Sequence, residues 1–267
     1  MNKPATQLPD LLPPEEIARL PRHVGIIMDG NGRWARLRGL PRSFGHKAGM
    51  EALRRAVKAA SHFGIEALTI YSFSSENWSR PRAEIRYLFS LLKRFIDRDV
   101  ADLHARNVRV RVIGAREGLP ADIVALLERA EAMTADNDGL TLAVAFNYGG
   151  RQEIAHAAQK LAEQVAAGAL APADITPELL ERHLHEPALG AVDLLIRTGN
   201  EQRISNFLLW QSAYAELVFL PDYWPDFTER TFQQALLEYA GRERRFGGVR
   251  TDEEALPPAR RARAGAS

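Results

Sequence analysis

The 267-residue sequence contains no cysteine. That absence excludes disulfide staples, thiolate metal sites and a cysteine nucleophile, and it fits a reducing cytoplasm. Neither sign of charge is in excess: 35 Lys and Arg against 34 Asp and Glu leave a formal net charge of +1. A global electrostatic footprint for nucleic acid is therefore missing, and any anion site must be local. Long apolar runs are missing too, since none approaches the roughly 18 residues that span a bilayer. The first twenty residues carry Asp10, Glu15, Glu16 and four prolines. No apolar core follows a basic start there, so no targeting segment is expected.

What is present is an ordinary globular composition, 46% apolar and 26% charged, at a length that suits one α/β domain. We divide the chain into a flexible N-terminal segment (1–20), a single folded domain (21–250) and a disordered basic tail (251–267). Short apolar, β-branched runs at 23–28, 67–73, 108–114, 140–146, 193–198 and 217–220 read as strands. Helical patterns fill 48–62, 84–104, 120–133, 150–167, 176–184 and 204–214 between them. In 84–104 the residues Ile85, Leu88, Phe89, Leu92, Phe95 and Ile96 have the spacing of one apolar helix stripe. Alternation of this kind predicts a central, mostly parallel sheet of about six strands wrapped by helices. Ligands of such sheets sit beyond the carboxyl ends of the strands, so the polar residues there are the ones to weigh.

The first strand runs into Asp29-Gly30-Asn31-Gly32-Arg33-Trp34. Glycines opening a helix let backbone N–H groups approach an anion, and the aspartate suits a metal. Read alone, the same turn equally fits Asp29 as a helix N-cap. Gly30-x-Gly32-x-x-Ala35 also matches a dinucleotide-binding turn, but Gly39 and Pro41 end the following helix early. The acidic residue with the required spacing, Glu51, falls inside a helical stretch, which argues against nicotinamide. The second strand leads to Ser74-Ser75-Glu76-Asn77-Trp78-Ser79-Arg80-Pro81, a polar loop with aromatics that a merely solvated loop does not need. The fifth leads to Arg197-Thr198-Gly199-Asn200-Glu201-Gln202-Arg203-Ile204-Ser205. Two arginines and a hydroxyl at an expected helix start make a receptor for a diphosphate, because the guanidinium fork matches phosphate oxygens. Arg42 and His46 bring further basic groups to the same edge.

Taken together, HVGIIMDGNGRWA, RSFGHKAG, YSFSSENWSRP, NYGGR, DLLIRTGNEQRISNFLLWQSAYAELVF and RERRFGG, in this order, resemble the signature blocks of bacterial cis-prenyltransferases of the undecaprenyl diphosphate synthase type, over about residues 20–250. The resemblance implies condensation of isopentenyl diphosphate with an allylic diphosphate such as farnesyl diphosphate. The product would be a long cis-polyprenyl diphosphate, the lipid carrier precursor for cell-wall synthesis. It implies Mg²⁺ as cofactor, with Asp29 and Glu216 as its ligands, and Asp29 and Asn77 in catalytic positions. Asn77 is open between proton acceptor and positioning of water or substrate, since a neutral amide is a poor base. Gly30, Asn31, Gly32, Arg33, Arg42 and His46 would cradle the allylic diphosphate, with Trp34 flanking the prenyl chain. Ser74, Ser75, Glu76, Trp78 and Arg80 would surround the condensing centre, and Arg197, Arg203, Ile204 and Ser205 would hold isopentenyl diphosphate.

A homodimer is also implied, with Arg245-Phe246-Gly247 reaching a neighbouring active site. The remaining implications are an apolar prenyl tunnel, transient membrane-surface contact for product release, and a cytoplasmic location at the inner membrane face. Two departures stand out: Asn200 replaces a second glycine common in the family, and Gln202 replaces a histidine found in some members. Asparagine tolerates the left-handed conformation such a position needs. The DDxxD motif of the all-α trans-prenyltransferases is absent. Leu140, at the start of the fourth strand, is expected to floor the tunnel, and Phe146 to narrow it. A nucleotide-dependent oxidoreductase and a non-catalytic prenyl-binding subunit are the other classes the sequence allows.

Overall fold

The computed structural model describes residues 18–242. The chain alternates strand and helix, as its periodicities predict. Six strands form one sheet: β1 (His23–Ile27), β2 (Ala67–Ser74), β3 (Arg109–Ile113), β4 (Thr141–Tyr148), β5 (Leu194–Arg197) and β6 (Glu216–Phe219). Their order is β3-β4-β2-β1-β5-β6 and every pairing is parallel. Among the described residues the α-helices are α1 (Asn31–Leu37), α2 (Arg42–His62), α3 (Arg82–Ala105), α4 (Ala121–Met133), α5 (Gly150–Ala166), α6 (Pro177–Glu181) and α7 (Glu229–Ala240). Pro41, Pro81 and Pro120 stand at the N-caps of α2, α3 and α4. Proline cannot extend a helix backwards, so these residues fix where each helix starts.

Both sheet faces are covered, as a parallel sheet requires. The larger core lies on the face carrying α2, α3, α4 and α7. The smaller gathers Ile27, Tyr148, Leu195, Phe207 and Leu208 on the other face. From β1 the chain turns toward β2, whereas from β5 it turns the other way, toward β6. The switch in direction therefore lies between β1 and β5, where a crevice opens at the carboxyl ends of such sheets.

Three elements differ from the sequence reading. Helix α2 begins at Arg42, six residues before the expected 48, and α7 lies outside the helical patterns read from the sequence. Residues 204–214, expected as a helix, form a series of turns. Ser205, Asn206 and Leu208 have φ of 47°, 63° and 47°. A right-handed helix cannot include them, while Phe207 and Leu208 between these turns are fully buried. The apolar spacing there comes from a folded loop plugging the smaller core. No helix among the described residues is long and apolar enough to cross a membrane.

Candidate active site

Asp29 follows β1 and Arg197 ends β5, and the β1–β5 register puts Ile27 beside Arg197. Their side chains meet: Arg197 Nη2 donates to Asp29 Oδ2 at 2.9 Å. Asp29 is not the N-cap of α1. That position is Gly30, at φ 103°, with no side-chain cap. A Cβ there would lie 2.5 Å from Tyr223 Cδ1, so glycine is required twice over, by conformation and by space. The Gly30 N–H donates to Asp29 Oδ1 at 2.6 Å, and Arg33 Nη2 stands 3.1 Å from the same oxygen. Burial disfavours charge on Asp29. The Arg197 hydrogen bond, the Arg33 and Arg197 charges and the Gly30 N–H outweigh it, holding the pKa below the ordinary aspartate value. Thr198, fully buried, clamps the turn: its hydroxyl donates to Asp29 O at 2.8 Å and accepts from Asp29 N–H at 3.0 Å.

Arg197 is 4% exposed. It also donates to Ser205 Oγ at 2.7 Å and to the Arg203 carbonyl. Asn200 adopts the expected left-handed conformation, at φ 58°. Next to it, Glu201 accepts from Arg33 at 2.9 Å and pairs with Arg203, tying the β1 and β5 loops together. From the second strand, Ser74 N–H donates to Asn77 Oδ1 at 3.2 Å in a capping box, which holds the Ser75–Ser79 turn.

These loops enclose a polar cavity of about 1360 Å³, open mouth included, lined by Asp29, Asn31, His46, Ser74, Glu76, Asn77, Arg80, Arg197, Arg203 and Ser205 among others. A second depression beside it takes in Gly30, Gly32, Arg33 and Arg42, with Asp29 on the shared wall. Below the polar cavity lies an apolar cleft of about 860 Å³, again with its mouth. The two share Met28, Asn31, His46, Ser72 and Leu88, so one opens into the other. The α3 stripe supplies one cleft wall through Leu88, Leu92, Phe95 and Ile96, and Phe146 of β4 lies opposite. Leu140 does not line it. That residue precedes β4 and is packed in the core, so the expectation that it floors the tunnel is corrected: Val110, Leu127 and Ala130 are among the residues that line the cleft and Leu140 is not.

Other expected residues lie elsewhere. The Trp34 indole N–H donates to Asp226 at 2.7 Å beneath the Arg38 guanidinium, away from both cavities. Trp78 donates to Asn147 at 2.8 Å and packs edge-on against Phe73 and Phe89. Ser75 and Ile204 line neither cavity, and Ile204 packs against the smaller core. Glu216 lies apart from Asp29 within one chain. The registers pair Val24 with Leu194 and Leu194 with Glu216. It thus sits at the start of β6, three residues below the level of Ile27, roughly 10 Å down the sheet. There it accepts from Arg242 at 2.8 Å. Within one chain it does not join Asp29, and among the described residues no group of three or more His, Asp or Glu is gathered for a metal. Arg245-Phe246-Gly247 lies outside the described residues.

Sequence reasoning missed Glu84. Its carboxylate, 16% exposed, collects Arg80 at 3.0 Å, Arg42 at 3.4 Å and His46 at 3.6 Å. Burial lowers the His46 pKa; the Arg80 and Arg42 charges add to this and Glu84 opposes it. The i,i+4 spacing of Arg80 and Glu84 was the available signal. Glu51, meanwhile, sits within α2 and pairs with Arg54 on the surface, so no acidic partner meets the Gly30–Gly32 turn from the second strand.

Known proteins resemble this chain over most of its length. An isoprenyl transferase of Bradyrhizobium diazoefficiens is 59% identical over 92% of this chain and 95% of its own length. The Escherichia coli ditrans,polycis-undecaprenyl-diphosphate synthase, farnesyl-diphosphate specific, is 52% identical over 87% of this chain and 92% of its own. The crystal structure of lavandulyl diphosphate synthase from Lavandula x intermedia, with dimethylallyl diphosphate, superposes with a TM-score of 0.83 at 36% identity, covering 86% of this chain and 99% of that one. A probable undecaprenyl diphosphate synthase of Campylobacter jejuni gives 0.72 at 33% identity, covering 85% and 98%. With its residues 27–247 matching the family model described as "Putative undecaprenyl diphosphate synthase", the chain belongs to that prenyltransferase family.

Proposed function

We propose that this protein condenses isopentenyl diphosphate with an allylic diphosphate, farnesyl diphosphate being the expected primer, to make a long cis-polyprenyl diphosphate of the undecaprenyl type. Such a lipid serves as the carrier precursor for cell-wall synthesis. The observation that carries this reading is the continuity of the arginine-lined polar cavity with the apolar cleft. A ligand with an anionic head and a hydrocarbon tail has those two needs. Each buried C5 unit contributes about 3–4 kcal/mol, at about 0.8 per CH₂.

In this reading the allylic C1–O bond breaks, its carbon bonds to the isopentenyl double bond, and a proton leaves the new unit. Charge grows on the departing diphosphate, so catalysis is electrostatic. Arg33, Arg42 and the backbone at the start of α1 hold that diphosphate, while Arg197, Arg203 and Ser205 hold the other. Asn77 closes the Ser74 turn above the reacting carbons, and we assign it to positioning rather than to proton abstraction.

Asp29 suits Mg²⁺, being ionised and at the cavity wall; the ion often binds through one or two carboxylates plus substrate phosphates. When bound, Mg²⁺ supplies further neutralisation of the diphosphate charge. We leave Glu216 out of that set. The homodimer and product release at a membrane surface on the cytoplasmic side complete the proposal, supported by the family resemblance and by the apolar nature of the product. Labelled isopentenyl diphosphate, farnesyl diphosphate and Mg²⁺ should yield label in a butanol-extractable long-chain lipid. Absence of extractable label would overturn the reading.

A further inference from the structure

The NYGGR stretch (147–151) lines neither the polar cavity nor the cleft, yet two successive glycines begin α5. Gly149 stands at the N-cap and has no side chain with which to cap. The cap comes from a distant part of the chain. The Asn206 carbonyl accepts from Gly150 N–H at 2.7 Å, and Asn206 Oδ1 accepts from Arg151 N–H at 2.8 Å. These are two of the N–H groups that a helix start leaves without a partner. The glycines are needed because the loop comes so close. A Cβ on Gly149 would lie 2.7 Å from Asn206 Nδ2 and from Ser75 Oγ, and one on Gly150 would lie 2.8 Å from Leu209 Cγ.

The other end of the same amide faces the second strand's turn. Asn206 Nδ2 donates to Glu76 Oε1 at 2.8 Å and to Gln152 Oε1 at 3.1 Å. One side chain thus joins three segments: the Ser74–Asn77 turn, the start of α5 and the loop carrying Arg203 and Ser205. A second tie holds that loop to α5, from Gln211 Nε2 to the buried Glu153 Oε2 at 3.0 Å. Asn206 itself sits at φ 63°, directly after Ser205, whose hydroxyl accepts from Arg197.

We propose that Asn206 is a positioning residue for prenyl transfer, an inference that rests on the function proposed above. It fixes the loop holding isopentenyl diphosphate against the Ser74–Asn77 turn, so that the alkene meets the allylic carbon at a set distance. The glycine pair of NYGGR exists to receive it.

Asn206→Asp tests this, because aspartate keeps the shape, tolerates the left-handed backbone and retains an acceptor for Arg151 N–H. What changes is the atom facing Glu76: a donor becomes a second carboxylate oxygen, and the two repel. The KM for isopentenyl diphosphate should rise on the order of tenfold, with the Kd of farnesyl diphosphate staying within about twofold. Adding Glu76→Gln should recover KM to within about threefold, since the glutamine amide can donate to the introduced carboxylate and restore the bond with its polarity reversed. Unchanged KM in the single variant, or a double variant no better than the single, would overturn the proposal.

Hydrogen exchange reads the same coupling without turnover. The single variant should speed exchange across 74–79, and the double should slow it again. An inactive wild type with that exchange pattern would remove the proposed function and leave the coupling standing. Exchange indifferent to both variants would remove the coupling itself.

Discussion

The chain leaves β1 and β5 side by side, and it does so in opposite ways. After β1 a single glycine turn at φ 103° starts a helix, and the charged groups follow on helical spacing, from Asp29 to Arg33. After β5 no helix forms. Asn200, Ser205, Asn206 and Leu208 all take left-handed conformations, and the Arg197 guanidinium donates to the Arg203 carbonyl and the Ser205 hydroxyl of that loop. The first loop is held by a helix start and by the Thr198 hydroxyl on the Asp29 backbone, the second by hydrogen bonds to other segments. A loop at a strand end can therefore be fixed by a helix start or by its own folding, and the second kind depends on the buried Arg197.

The largest expected break in this comparison is at the acid the two loops share. Asp29→Ala should lower kcat/KM on the order of 10²-fold or more, with the fold kept, because the residue is partly exposed and its loss creates no large cavity. Steady-state kinetics beside a thermal melt would read both. Arg197→Ala comes next. It should cost both activity and about 1–3 kcal/mol of stability, since it takes their Arg197 donor from Ser205 Oγ and Asp29 Oδ2; denaturant unfolding measures the second.

Gly30→Ala should destabilise by about 1–3 kcal/mol, through strain at φ 103° and the approach to Tyr223. Asn200→Gly, the counterpart on the β5 loop, should shift stability by less than about 1 kcal/mol. Smaller still is the pH effect. The Asp29 pKa is depressed in the fold, so its contribution to stability is complete above the unfolded value and is lost as pH falls through the folded one. Unfolding free energies across the acid range should therefore fall below about pH 4 in the wild type, and less so in Asp29→Asn.

Fold and site were legible to different depths. The parallel sheet could be read because fully buried strands such as HVGII and LLIR are short apolar runs between helical periods. Asp29, Arg197, Arg203 and Ser205 were legible because strand ends converge in such a sheet. The segment 204–214 misled because apolar residues plugging a core from a loop imitate a helix stripe; only backbone angles tell the two apart. Glu216 was legible only as part of a motif, which places a residue along the chain but not at one end of a strand or the other, and within one chain it stands away from Asp29. Beyond the local Arg80–Glu84 spacing, Glu84 and Asn206 act on partners 38 to 130 residues away, and no local pattern marks those.

Division of labour between the two loops is the claim on which this account turns, and one pair of variants tests it. Arg42 and Arg203 are matched in exposure, with side chains 63% and 60% accessible, so neither substitution should unsettle the fold. Arg203→Ala should raise the KM for isopentenyl diphosphate by about tenfold or more while leaving that for farnesyl diphosphate near wild type, and Arg42→Ala should do the reverse. Equal effects of both variants on both substrates, or the opposite pairing, would contradict it.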